Sequence, residues 1–230
     1  LRFTLQRGYE YFKAWEDHEA GKGPKPKSRP DLRYLRGLFR HEYPVSVHTQ
    51  IYQVVLETLR ELRTEFGLWT FVDHGTFDAY RLSEEAFNRG VPICNGPRQY
   101  HFDRDTGRFI GLADMWSRGG MHGFNRMQKG VGRDGIAINT DSPVVPQEQL
   151  TLQCAMAVRL GMPDEIGIRA ITINPARLIG IDHRVGSLRV GKDADFSIWS
   201  GDPLDPRSHV VTTVVNGTIR YQRNPARPRF

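Results

Sequence analysis

Three side chains of the metal-ligand type stand at the ends of short apolar segments that have the composition of buried strands. His48 ends residues 44–48, His74 ends residues 69–74, and Asp141 follows residues 136–138. The carboxyl ends of parallel strands meet at one edge of a sheet, so residues far apart in the sequence can lie together there. Two imidazoles and a carboxylate suit zinc, or another divalent first-row metal, with one position open for water. Such a water ionises near neutral pH, and a nearby carboxylate can take and return its proton.

Each of these residues also has an ordinary structural interpretation. A single core histidine is often hydrogen-bonded to backbone, and Asp141 beside Ser142-Pro143 is typical of a turn or a helix N-cap. For one residue alone we would favour that interpretation. Because all three stand at the ends of predicted strands, a shared metal site is the favoured hypothesis.

The loop after the third predicted strand, Val91–Cys94, carries further polar side chains. Asn95, Arg98 and Tyr100 lie in it, and an arginine and a tyrosine there could hold a substrate carboxylate or carbonyl. Ordinary loop packing explains them equally well. The loop also contains two histidines, for which solvent exposure is the favoured interpretation, namely His101 and His122.

Strands that alternate with helices would position these residues. Residues 50–66 place apolar side chains on one helical face, and Gly67 ends that helix. Residues 78–88 form the helix after the second strand. This alternation indicates βαβ units and a parallel sheet, hence an α/β fold. We predict further helices over residues 6–20, from Asp31 to Leu38, over 112–129 with glycine breaks, and over 149–160, 163–173 and 176–179.

The C-terminal part has a different pattern. Residues 185–221 alternate apolar and polar side chains, which is typical of β-strands. Asn216-Gly217 lies between Val214-Val215 and Thr218-Ile219, a strong signal for a type I′ hairpin. We therefore divide the chain into an α/β domain, residues 1–184, and a small β module with a tail, residues 185–230.

Composition bounds the remaining possibilities. The 230 residues are 39% hydrophobic and 25% charged, which is typical of a globular protein, and no apolar run approaches the roughly 20 residues of a membrane span. Two cysteines in apolar surroundings and no signal-peptide pattern indicate free thiols in the cytoplasm. The net charge of +6 comes largely from basic runs at residues 22–33 and 220–229. We expect these runs to be solvated, and predict no nucleic-acid or membrane partner.

Several short motifs carry a family resemblance. They are Val45-Ser46-Val47-His48, Asp73-His74-Gly75, Asn139-Thr140-Asp141-Ser142-Pro143, and the segments 172–180, 185–188 and 191–195. At these residues the chain resembles the amidohydrolase superfamily, and within it the imidazolonepropionase-like group. The resemblance covers nearly all of residues 44–221.

The resemblance implies a fold and a reaction. The fold would be half of a TIM-like (β/α)8 barrel, strands five to eight, followed by a small β-sandwich segment. His48 would bind a divalent metal, zinc first with iron or manganese as alternatives. His74 would bind the metal or polarise the substrate carbonyl, and Asp141 would contact the metal and shuttle the proton. The substrate would be a small molecule with a non-peptide C–N bond, in an amide, cyclic amide or N-acyl compound.

The chain departs from the family pattern in its missing parts. The family's first-strand His-x-His pair and its fourth-strand lysine or glutamate have no counterpart here. Four barrel strands also leave open edges. We therefore expect an N-terminal half or a second copy as partner. The alternative is a non-catalytic scaffold or oligomerising subunit that binds no metal.

Overall fold

A computed structural model describes residues 1–121 and 135–224. The chain divides into two compact units. The first comprises Leu1–Cys94 and Met115–Gly135, and the second comprises Asn95–Asp114 and Ile136–Phe230. The fold is mixed α/β with a parallel sheet. The domain boundary predicted after residue 184 stays a prediction, as do the half barrel and the β-sandwich.

The first unit alternates helices and strands. Its α-helices are α1 (Arg2–Glu19), α2 (Leu35–Phe39), α3 (Tyr52–Glu57) and α4 (Ser83–Asn88). Its strands are β1 (Val45–Thr49), β2 (Thr70–His74) and the first two residues of β3 (Ile93–Asn95). A π-helical segment continues α3 over Thr58–Glu65, and a 3-10 turn, Ala79–Leu82, precedes α4.

The predicted βαβ arrangement is present in this unit. Strands β1 and β2 are parallel, with His48 opposite Asp73 and Thr49 opposite His74. Strand β3 is next in the sheet. The strands predicted at residues 44–48 and 69–74 are thus confirmed, although His48 is the penultimate residue of β1 and not the last.

The helix predicted over residues 50–66 changes its winding halfway. Thr58 donates its hydroxyl to the Val54 carbonyl at 2.8 Å, and Thr64 donates to the Leu59 carbonyl at 2.9 Å. Threonine hydroxyls that bond carbonyls of the preceding turn compete with regular helical hydrogen bonds. The π-helical winding coincides with these two bonds, and the apolar pattern alone does not predict it.

One apolar cluster of the first unit lies beside β1. It contains five buried side chains from α1, α2 and the segment after α3, namely Leu5, Phe39, Leu62, Phe66 and Leu68. Val45 and Val47 of β1 pack against this cluster. Because strand side chains alternate, this burial turns Ser46 and His48 to the other face of the sheet, where both are exposed.

The second unit contains the fourth predicted strand and the C-terminal elements. Its strands are β4 (Tyr100–Asp103), β5 (Arg108–Gly111), β6 (Ile136–Ile138), β7 (Phe196–Trp199), β8 (Val210–Val215) and β9 (Thr218–Gln222). Its helices are α6 (Leu150–Arg159), α7 (Asp164–Ala170) and α8 (Ile173–Leu178). Helix α5 (Leu112–Trp116) crosses the boundary between the units.

Strand β6 is the buried centre of the second unit. All three of its residues are buried, and the backbone N–H of Asn139 donates to the Asn95 carbonyl at 3.0 Å. The Asn174 side chain donates to the Ile136 carbonyl at 2.8 Å. The helix predicted over residues 176–179 begins earlier, at Ile173, so Asn174 lies within α8.

The C-terminal strands form an antiparallel sheet in the order β7-β8-β9. Asn216 and Gly217 connect β8 to β9 and both have positive φ, 50° and 70°. These angles are those of a type I′ turn, so the predicted hairpin is confirmed. The Asp195 carboxylate accepts the backbone N–H of Asn216 at 2.7 Å and holds the turn.

A β-hairpin replaces part of the predicted long loop. Strands β4 and β5 pair antiparallel, and His101 lies within β4. The Asp103 carboxylate accepts the Asp105 N–H and the Thr106 hydroxyl, which closes the turn. The helix predicted over 112–129 begins with α5 and continues through Ser117–Met121, where the non-helical backbone of Gly120 (φ 111°) interrupts it. The rest of that prediction, and His122, fall outside the described residues.

Within residues 1–121 and 135–224, none of the helices is both long enough and apolar enough to cross a bilayer.

Two glycines of the first unit permit a direct test of the packing beneath β2. Gly75 (φ 51°) and Gly67 (φ 64°) are both left-handed. A Cβ at Gly75 would overlap Ile93 Cδ1 and come within 3.1 Å of Trp116, whereas a Cβ at Gly67 meets nothing within 4 Å. Both alanine substitutions incur about 1–2 kcal/mol of backbone strain. In Gly75→Ala, we expect overpacking to lower the free energy of unfolding by a further 1–3 kcal/mol or so.

Urea unfolding of both variants measures this difference. Equal losses of unfolding free energy in Gly67→Ala and Gly75→Ala would contradict the packing described around Gly75.

The second unit contains a thiol whose ionisation opposes folding. Cys154 is fully buried, and burial together with the carboxylates of Asp164 and Asp202 raises its pKa from 9.0 to about 12. As the pH rises, this thiol ionises in the unfolded chain before it ionises in the folded chain. Its contribution to the free energy of unfolding is therefore fully present below pH 9.0 and is lost as the pH rises toward about 12. At about pH 10.5 we expect a loss of about 2 kcal/mol.

Urea unfolding at about pH 8 and about pH 10.5 measures this loss. Cys154→Ala should lose less stability than the wild type between these two pH values. The same loss in both proteins would contradict the assignment to Cys154.

Candidate functional site

The imidazoles of His48 and His74 lie side by side at the carboxyl ends of β1 and β2. Their ring centroids are 4.3 Å apart, and the ring planes are inclined by 59°. His74 is 2% exposed, whereas His48 belongs to the exposed face of its strand. The structure therefore brings together two of the three side chains that the sequence assigns to a metal.

The backbone of His74 explains how the two rings meet. His74 is opposite Thr49 and not His48, so regular alternation would point the rings to opposite faces of the sheet. His74 instead has a φ of 76°, in the left-handed region. Gly75 follows in the same region and donates its N–H to the Thr49 carbonyl at 2.9 Å. Such backbone is costly for a non-glycine residue and is concentrated at functional sites.

A buried tryptophan secures this bend. Trp116 is fully buried, and its indole N–H donates to the Gly75 carbonyl at 2.8 Å. Only glycine fits at position 75, because a Cβ there would overlap Ile93 Cδ1 and lie 3.1 Å from the Trp116 ring. The sequence motif Asp73-His74-Gly75 thus contains the candidate metal ligand His74 and a glycine that the packing requires.

Asp141 belongs to the second unit, whereas both histidines belong to the first. It follows β6 after Asn139 and Thr140, and its φ of 51° is again left-handed. Its carbonyl accepts the N–H of Val144 at 2.8 Å in a tight turn. Asp141 therefore occupies a left-handed turn position, which aspartate tolerates better than most residues, and its place beside the histidines stays a prediction.

The three residues predicted to bind substrate have different environments. Asn95 ends β3 and is fully buried, Arg98 is exposed, and Tyr100 is 50% exposed at the start of β4. The Tyr100 ring packs edge-on against Phe109, with centroids 5.7 Å apart. Beside Asn95, a Cβ on Gly96 would overlap the Asn139 carbonyl, so the backbones approach closely there. A substrate-binding role for these residues stays a prediction.

Sequence reasoning did not single out Asp73, which lies beside both histidines. It is opposite His48 in the strand register, and its carboxylate Oδ2 is 4.0 Å from His74 Nε2. Its side chain is 30% exposed. The signal available in the sequence was its position directly before His74.

The donor set fits part of a divalent-metal site. Two adjacent imidazoles can provide two of the four ligands of a zinc ion. Within residues 1–121 and 135–224, no group of three or more His, Cys, Asp or Glu side chains is already arranged to hold an ion. His48 and His74 therefore fit such a cation as a pair, and further ligands are needed to complete its coordination.

Two curated relatives show what this chain is similar to. It is 25% identical over 221 residues to the 5-methylthioadenosine/S-adenosylhomocysteine deaminase of Desulforudis audaxviator. This alignment covers 85% of this chain and 49% of that protein. It is 27% identical over 151 residues to the imidazolonepropionase of Thermoplasma acidophilum, covering 59% of this chain and 37% of that protein. The chain thus spans about half or less of the length of these relatives.

A solved structure agrees with the fold. The amidohydrolase of Thermotoga maritima MSB8 matches 96% of this chain and 55% of its own, with a TM-score of 0.75 and 26% identity. The model of the amidohydrolase family matches residues 71–221, which include His74, Asp141 and the C-terminal sheet. On this match, which covers well over half of its length, the chain belongs to the amidohydrolase family.

Proposed function

We propose that the protein is a metal-dependent hydrolase of non-peptide C–N bonds in small molecules. The observation that carries the proposal is the pair of imidazoles, 4.3 Å apart, at the carboxyl ends of two adjacent parallel strands. In parallel α/β sheets and barrels, chemistry is located at that edge. The deaminase and the imidazolonepropionase that resemble this chain support the reaction class, and amides, cyclic amides and N-acyl compounds are the substrates to test.

His48 and His74 would hold the divalent cation through imidazole nitrogens. Zinc suits nitrogen ligands best, and iron or manganese are the alternatives. When bound, the cation would make a water ionise near neutral pH, and the cation itself would polarise the carbonyl oxygen of the substrate. Because His74 is buried and its backbone is fixed by Gly75, its ring is held in one orientation before substrate arrives.

Asp141 would carry the proton. Its carboxylate accepts a proton from the attacking water and donates it to the leaving nitrogen, which departs as an amine. The left-handed backbone at Asp141 sets the direction in which its side chain leaves the main chain. Asn95, Arg98 and Tyr100 would contact the carboxylate or carbonyl of the substrate.

The proposed site needs ligands beyond the two histidines. A further segment of polypeptide with the remaining barrel strands, or a second copy of the chain, would provide them. The length of the relatives supports the first source, because this chain matches 49% of the deaminase.

A second function is a family scaffold that assembles without metal. One observation favours it: in the part of the chain that the structure describes, no three ligand-type side chains are arranged around one point. Metal binding therefore separates the two proposals.

Zinc content provides the first test. After zinc loading and removal of loose ions, we expect the full chain to retain about one zinc, and His48→Ala and His74→Ala to retain less than about a tenth of it. The control is His183→Ala, because His183 is exposed. Atomic emission spectroscopy measures the metal. A folded wild type that retains no zinc, iron or manganese would favour the scaffold.

The proton role of Asp141 gives a separate prediction. Asparagine tolerates left-handed backbone about as well as aspartate, so Asp141→Asn removes the charge and keeps the turn. We expect kcat to fall by about 10²–10⁴-fold on the best substrate of a panel of cyclic amides and N-acyl compounds. Glu148→Gln makes the same chemical change at an exposed position and should leave kcat unchanged. Undiminished turnover in Asp141→Asn would exclude this role.

A further inference from the structure

The indole N–H of Trp116 is bonded to the backbone directly beyond the end of β2. It donates to the carbonyl of Gly75, a buried residue that follows the last residue of the strand, His74. Among the described residues, no backbone N–H donates to this carbonyl. A buried carbonyl needs a hydrogen-bond donor. The indole therefore supplies a bond that the sheet itself does not provide.

Burial alone does not explain this bond. The first unit contains three tryptophans, namely Trp15, Trp69 and Trp116. The indole nitrogens of Trp15 and Trp69 are also buried, yet within residues 1–121 and 135–224 neither has a hydrogen-bond partner. A phenyl ring at position 116 could fill apolar space, but it could not donate to Gly75. The N–H of Trp116 is thus matched to one backbone group.

The bond to Gly75 acts on His74 through the chain. The left-handed backbone of His74 and Gly75 brings the His74 ring to 4.3 Å from the ring of His48, whereas regular strand geometry would point the two rings to opposite faces. Such backbone persists at a non-glycine residue only when its surroundings fix it. The Gly75 N–H is bonded to the Thr49 carbonyl and the Gly75 carbonyl to the indole, so the peptide groups on both sides of Gly75 are held. Without the indole, only the first of these two bonds would hold the bend.

We propose that Trp116 is a positioning residue of the metal site, whose indole N–H holds the His74 ring in the orientation that faces His48. This inference rests on the proposed function, because it concerns how well the two rings bind a cation. When the competent conformation is populated only part of the time, the apparent affinity falls in proportion to that fraction. Groups that orient metal-binding histidines from behind typically change metal affinity by about 10–100-fold.

Zinc affinity of the full chain and amide exchange of its metal-free form test the inference. Trp69→Phe is the matched control for Trp116→Phe, because it removes a buried indole N–H of the same unit that has no hydrogen-bond partner among the described residues. We expect the zinc dissociation constant, measured by competition with a chromophoric chelator, to rise by at least about 10-fold in Trp116→Phe and to stay unchanged in Trp69→Phe. In the metal-free protein, NMR should show the Gly75 amide exchanging at least about 10-fold faster in Trp116→Phe only. Equal changes in both variants would contradict the proposal.

A second substitution keeps the shape of the indole and guards against a loss of folding in the phenylalanine variant. Trp116→benzothienylalanine replaces the indole N–H by sulfur within the same bicyclic ring, so it removes the donor and preserves the packing. The proposal predicts weaker zinc binding and faster Gly75 exchange in this variant as well. Wild-type values of both quantities would overturn the role of Trp116 and leave the hydrolase proposal standing. A folded wild type that binds no zinc would overturn both.

Discussion

The left-handed backbone at His74 is the constraint on which the candidate site depends. A strand of regular geometry would point His48 and His74 to opposite faces of the sheet, because Thr49 and not His48 is opposite His74. Backbone of this kind costs about 1–3 kcal/mol at a non-glycine residue and persists only when its surroundings fix it. Here the surroundings are the Gly75 N–H bonded to Thr49 and the Trp116 indole bonded to Gly75. The core beneath the sheet thus determines where the second imidazole lies.

Much of the parallel sheet and the C-terminal hairpin could be predicted from the sequence because their signals are local. The apolar segments that become β1, β2 and β6 are bounded by residues that end strands. Asn216-Gly217 supplies the two positive φ angles of its turn directly. The proximity of His48 and His74 follows from topology, since parallel strands place their carboxyl ends together.

Other features depend on contacts that no local pattern contains. The hairpin of β4 and β5 has an unusual pattern: Tyr100, Phe102 and Phe109 are 50%, 46% and 67% exposed, while Asp103 is 8% exposed. Its aromatic residues therefore did not indicate a strand with a buried face. Asn174 resembles a helix cap in sequence but bonds to β6. The closeness of Asp73 to His74 Nε2 depends on the bend that follows it, so it could not be predicted either.

The chain belongs to the amidohydrolase family, and the geometry of its first unit brings two imidazoles together at one edge of the parallel sheet. We propose that His48 and His74 bind one cation there. Anomalous diffraction at the zinc edge, from crystals of the zinc-loaded full chain, tests this binding most directly. We expect one strong peak within about 2.1 Å of a nitrogen of each ring. A peak that contacts neither ring, or rings that diverge when zinc is bound elsewhere, would contradict it.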